Sequence, residues 1–170
     1  MKEETKKRLA HLLDRYDEEQ SGANKQAQET KTEQEELLKA FGQVRTKVIR
    51  PIMEAIGTVL QTRGHDYTIV EEDASTDAQG THQDGRISMY MFPLRAGAKS
   101  TTSELVHFPH ISFRPDPYWR RIIVHTSNTA PTDGESSGGR GEYAISQVTS
   151  DLVEKELVKV VEGMLDKWGR

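Results

Sequence analysis

His107, His110 and His125 are the side chains of this sequence best suited by type to bind a metal ion or move a proton. Their spacing limits them. His107 and His110 are an odd number of residues apart, so an extended strand points them to opposite faces, and only His110 and His125 share a side once the chain folds back between them. Two imidazoles without a carboxylate in the pattern fall short of the three or four protein ligands of a zinc site. No catalytic, cofactor-binding or metal-binding residue is therefore assigned, and a His-dependent or metal-dependent enzyme is the third-ranked reading.

Two other stretches invite a chemical reading. Gly134 to Gly141, GESSGGRG, has glycines that would let backbone amides approach an anion, but it lacks the Lys-Ser/Thr pair of a phosphate loop and no helix follows directly. A flexible linker is the expected role. Trp119-Arg120-Arg121, with Tyr90 and Phe92 on a neighbouring run, has the aromatic and basic composition of platforms that stack single-stranded nucleic acid. The region from 64 onward carries more acidic than basic residues, which makes phosphate binding costly, so nucleic acid is the second-ranked reading.

These residues are positioned by the segment 107–127, HFPHISFRPDPYWRRIIVHTS, whose two β-rich runs flank Pro115-Asp116-Pro117-Tyr118. The prolines fix their own φ and push Arg114 and Asp116 toward extended backbone, so a turn is placed at 115–118. With Arg114 opposite Trp119, Ile111 faces Ile122 and Pro109 faces Val124 on a core side that includes Phe113. Phe108, His110 and Ser112 then share the other side with Arg121, Ile123 and His125.

The rest of the chain supplies elements to pack against this hairpin. Leu9, Leu12, Leu13 and Tyr16 form a thin apolar stripe, and no large aliphatic residue occurs from Asp17 to Glu36, so residues 1–28 read as a polar helical or partly disordered arm in which Gly22 opposes an unbroken helix. Thr32 to Glu35 matches a capping box for a stronger, coiled-coil-like helix lined by Leu37, Phe41, Val44, Val48 and Ile52, with a kink expected near Pro51 and a left-handed end at Gly64. Strands are expected at 66–72 and 86–92, the latter with Ile87, Met89 and Met91 on one side and Ser88, Tyr90 and Phe92 on the other. Flexible loops are expected near 73–85, 95–106 and 128–141, a short edge strand at 142–146, and a last helix capped by Asp151.

The chain has 170 residues, 34% of them hydrophobic and 29% charged, a formal net charge of −4 and no cysteine. The absence of cysteine excludes thiol chemistry and Cys-based zinc sites and fits a reducing compartment; with no apolar leader or membrane-length run in the sequence, a cytoplasmic protein with no membrane role is the expectation. The expected architecture is α+β: an antiparallel four- to five-stranded sheet in 29–170, covered on one face by a long N-terminal helix and a C-terminal helix. The other face, with Tyr90, His110, Trp119, Arg121, Ile123 and His125, is then left without a cover. The leading functional expectation is a non-enzymatic protein-binding or adaptor module that uses this face and self-associates, with a protein partner and a homo-oligomer as its partners.

Overall fold

The computed structural model describes residues 2–93, 105, 107–129 and 136–168. In chain order the elements are α1 (Glu3–Val44), a π-turn (Arg45–Ile49), α2 (Arg50–Thr62), β1 (Asp66–Glu72), β2 (Ser75–Thr76), β3 (His82–Gln83), β4 (Arg86–Phe92), β5 (His110–Asp116), β6 (Arg121–Thr129), β7 (Ser136–Tyr143), a 3₁₀ turn (Ile145–Gln147) and α3 (Ser150–Trp168). The chain forms two compact units, Met1–Glu36 and Leu37–Arg170.

The first unit is helical from Glu3 onward, and the break expected at Gly22 is not found. Ala, Glu, Gln and Lys dominate this stretch, and their propensity outweighs the roughly 1 kcal/mol that one glycine costs. The capping box expected at Thr32 is also absent. The Thr32 hydroxyl donates to the Gln28 carbonyl at 2.9 Å, one turn back in the same helix, whereas a capping residue has non-helical backbone and accepts from amides ahead of it.

The second unit is an α+β fold in which the five long strands make one antiparallel sheet, ordered β1-β4-β5-β6-β7. Ile87, Met89 and Met91 of β4, Ile111 and Phe113 of β5, and Ile122 and Val124 of β6 all point to one side. There they meet Phe41, Ile49, Met53 and Leu60 of the N-terminal helical segments and Val153, Leu157, Val160 and Met164 of α3. Val44, Val48, Ile52 and Ile56 pack against this core partly buried.

The irregularity expected near Pro51 takes the form of the π-turn. A proline ring within a helix clashes with the carbonyl four residues back, and here the Arg50 amide bonds to the Arg45 carbonyl in a widened turn, so that α2 starts with Pro51 in its first turn. The helix ends at Gly64, with φ of 84°, while the His65 amide returns to the Leu60 carbonyl at 3.1 Å. Between these ends α2 lies so close to β1 that a Cβ added at Gly57 would come within 2.3 Å of the Tyr67 ring.

The central hairpin keeps its faces but not its register. Arg114 pairs with Ile123 and Asp116 with Arg121, so the turn is 117–120 and Pro115 lies inside β5, buried and opposite Ile122. The pairing moves by four residues, an even number, which preserves every side-chain direction. Pro115 is tolerated because the β4 partners end at the pair Ile87 and Phe113, before the proline is reached. Arg120 takes up the turn with φ of 54°, and the Asp116 carboxylate accepts the Trp119 amide at 3.2 Å.

Three smaller departures share a cause, which is main-chain bonding invisible to apolar patterning. The segment 73–85 contains the β2–β3 pair, Ser75 with Gln83 and Thr76 with His82. Residues 136–141, read as loop, and 142–143, read as the start of an edge strand reaching 146, form one strand that pairs along β6 from Ile122 with Tyr143 to Thr129 with Ser136, while Ile145–Gln147 is a 3₁₀ turn; glycine at 139 lets its amide reach the Thr126 hydroxyl at 3.1 Å. The α3 N-terminus is served by the Thr149 hydroxyl, which accepts the Leu152 amide at 3.4 Å, and Asp151 sits in the first turn instead of capping it. Most of the loop expected at 95–106 lies outside the described residues, as do 130–135.

Candidate functional site

Alternation along β4, β5 and β6 sends the even-numbered residues of β4 and β5 and the odd-numbered residues of β6 to the sheet face away from the helices. Rings gather on it. Tyr90 lies 5.1 Å from His110, centroid to centroid, and His110 lies 5.9 Å from His125, with both pairs tilted. The His110 ring is half-buried, and its Nδ1 lies 2.9 Å from the Phe108 carbonyl, which it donates to when that nitrogen carries the proton. Burial lowers the His110 pKa below its ordinary value; the Phe108 carbonyl opposes that shift, and the positive charges of His125 and Arg86 add to it.

This face is not left open along its length. Tyr90, Phe92, Leu105 and Phe108 form a second apolar cluster, with Val70 and Trp168 packed partly against it. Phe92 and Phe108 meet edge to face at 4.9 Å, and Trp168 stacks on Phe108 at 6.0 Å. The expectation of an uncovered face holding Tyr90 and Ile123 is therefore corrected: Tyr90 is 8% exposed and Ile123 3%. Substituting either by a charged residue would damage packing instead of probing a contact.

What remains accessible is the end near the β5–β6 turn. Trp119 at the turn is 69% exposed, its neighbour Tyr118 is 75% exposed, and the two rings meet edge to face at 4.9 Å. Arg121 and His125 are exposed on β6, Arg114 is exposed beside Ile123 on β5, and Arg140 is exposed opposite His125 on β7. Arg140 pairs with Glu142 at 3.2 Å. Of the six expected site residues, Tyr90, His110 and His125 are brought together, whereas Arg121 stands four residues from His125 along one strand, about 13 Å at the usual rise. Trp119 lies beyond it in the turn. Sequence reasoning missed Tyr118, assigned to the turn, and Arg140, hidden in a glycine-rich stretch.

Among the described residues no three His, Cys, Asp or Glu side chains are grouped to hold a metal ion. A polar cleft of about 420 Å³ is lined by Glu72, His82, Gln83, Asp84, Arg86 and Arg114. Within it Arg86 pairs with Glu72, and His82 Nε2 lies 3.1 Å from Asp84 Oδ1. No helix among the described residues is long and apolar enough to cross a membrane. Comparison with family models, with curated proteins and with solved structures finds no match to this chain.

Proposed function

We propose that the protein is a non-enzymatic protein-binding or adaptor module that self-associates, and that its protein partner docks on the hairpin end of the second sheet face. The observation that carries this reading is the exposure of Tyr118 and Trp119, 75% and 69%, at a turn held between Asp116 and Arg121. Large aromatics together with arginine are the residues in which binding hot spots are enriched, and a turn already fixed loses little entropy on docking. Arg114 and Arg121, both exposed near the tip, favour an acidic partner surface.

A photoreactive amino acid in place of Tyr118 would capture the partner, and binding would then be measured with purified proteins. Trp119→Ala and Arg121→Glu should each weaken it by about ten-fold or more. Unchanged affinity in both variants overturns the assignment of the surface. Exposed Trp119 beside Arg120 and Arg121 also favours single-stranded nucleic acid as a second reading. Salt-reversible binding of a labelled oligonucleotide, lost in Trp119→Ala, would put that reading in place of the first.

A further inference from the structure

Leu9, Leu12, Leu13 and Tyr16 lie on one face of α1 at helical spacing and are 47%, 46%, 53% and 61% exposed. The residues on either side of this stripe form a mirror image of opposite charge. Counting outward from the Leu12–Leu13 bond, Leu9 stands as far out as Tyr16, Arg8 as far as Asp17, Lys7 as far as Glu18, and Lys6 as far as Glu19. We propose that residues 2–23 pair with the same segment of a second copy of this chain, antiparallel, about a two-fold axis at Leu12–Leu13.

Charge complementarity decides both occupant and direction. In the antiparallel arrangement the leucines of each copy meet those of the other near the axis, Leu9 meets Tyr16, and Lys6 and Arg8, which flank the stripe, lie over Glu19 and Asp17 of the other copy, while Lys7 and Glu18 add their charge from the outer face. A parallel pair would set base on base and acid on acid, which costs energy at both ends. The intrahelical pairs present, Lys6 with Glu3 and Arg15 with Glu19, are both 3.6 Å long and exposed, so they compete little with contacts across the axis. The segment also gains from being covered, because a helix draws most of its stability from packing its apolar face. The next residues at the same three- and four-residue spacing, Gln20, Ala23, Ala27, Thr30 and Gln34, are small or polar, which confines the contact to about 33 Å of helix. Such a dimer is dilutable and salt-sensitive. It supplies the self-association of the proposed function through a surface separate from the aromatic hairpin tip.

Sedimentation equilibrium of the full chain from high to low micromolar concentration should show the 19.2 kDa chain exchanging with its dimer. Leu9→Glu with Leu13→Glu should raise the dissociation constant by about ten-fold or more. Reversing Lys6, Lys7 and Arg8 to Glu should do the same, and adding Lys at 17, 18 and 19 in that chain should restore the dimer. Since the chain has no cysteine, Thr5→Cys and Gln20→Cys report direction: each alone should stay uncrosslinked, and a mixture should form the mixed disulfide. A wild type monomeric throughout, a dimer indifferent to these changes, or disulfides formed by each variant alone would overturn the proposal. A monomer that still binds a partner through Trp119 would leave the proposed function's docking surface standing.

Discussion

Neighbouring residues of β5 face opposite environments, and their substitutions should separate accordingly. Ile111 is fully buried between the sheet and the helices, so Ile111→Asp places an unpaired carboxylate there and should cost several kcal/mol, on the order of 3 or more. His110→Ala, at a half-buried position on the other face, should cost less than half as much; urea melts that rank the two in reverse would refute the face assignment. His110 also ties stability to pH. Its folded pKa lies below the ordinary 6.5 because of burial, so the neutral ring is favoured by folding. Above 6.5 both folded and unfolded rings are neutral and nothing is lost, whereas below it the unfolded chain takes the proton more readily and stability falls. Urea midpoints measured on either side of that value should fall toward acid, and His110→Phe should flatten the fall.

Elements whose side chains alternate sharply were the legible ones. Asp66–Glu72 and Arg86–Phe92 are strands at the expected bounds because Tyr67, Ile69, Ile87, Met89 and Met91 each mark a face. The hairpin register was misread because two prolines suggested a turn at 115, while the turn that forms uses Asp116 as an acceptor and Arg120 in a left-handed conformation. Most of β7 was illegible for a different reason, only its end at 142–143 being read as strand: its pairing is main-chain bonding, and Gly138, Gly139 and Gly141 carry no side chain to show a period. Of the site residues, the grouping of His110 with His125 was readable from parity alone. The cover over Tyr90 was not, because it depends on Leu105, in a segment read as loop, and on Trp168, read as part of a helix facing the other way. The junction at Pro51 gives a test at this scale. Pro51→Ala should change stability by less than about 1 kcal/mol, since the proline sits in a first turn that needs no amide, whereas Met53→Ala, at a fully buried position two residues on, should cost about 2–5 kcal/mol. Comparable losses would mean that the proline itself holds the π-turn.

At the scale of the whole chain, fold and self-association should come apart. A chain beginning at Glu29 keeps Leu37, Phe41 and every other core residue, so it should melt cooperatively within a few degrees of the full chain, while sedimenting as a monomer at every concentration. Calorimetry of that shortened chain checks the first outcome and sedimentation the second. A molten product would show that residues 1–28 are needed by the core. The close approach of Gly57 to the Tyr67 ring reaches further, because it ties together two positions ten residues apart in sequence. A side chain at 57 would require the Tyr67 ring to leave its place, so change at the two positions is expected to be linked. A library that randomises both positions and selects for folding should recover glycine wherever 67 is aromatic, and alanine or serine at 57 only beside a small residue at 67. That linked pattern is a fingerprint by which distant relatives of this chain could be recognised after the rest of their sequence had drifted.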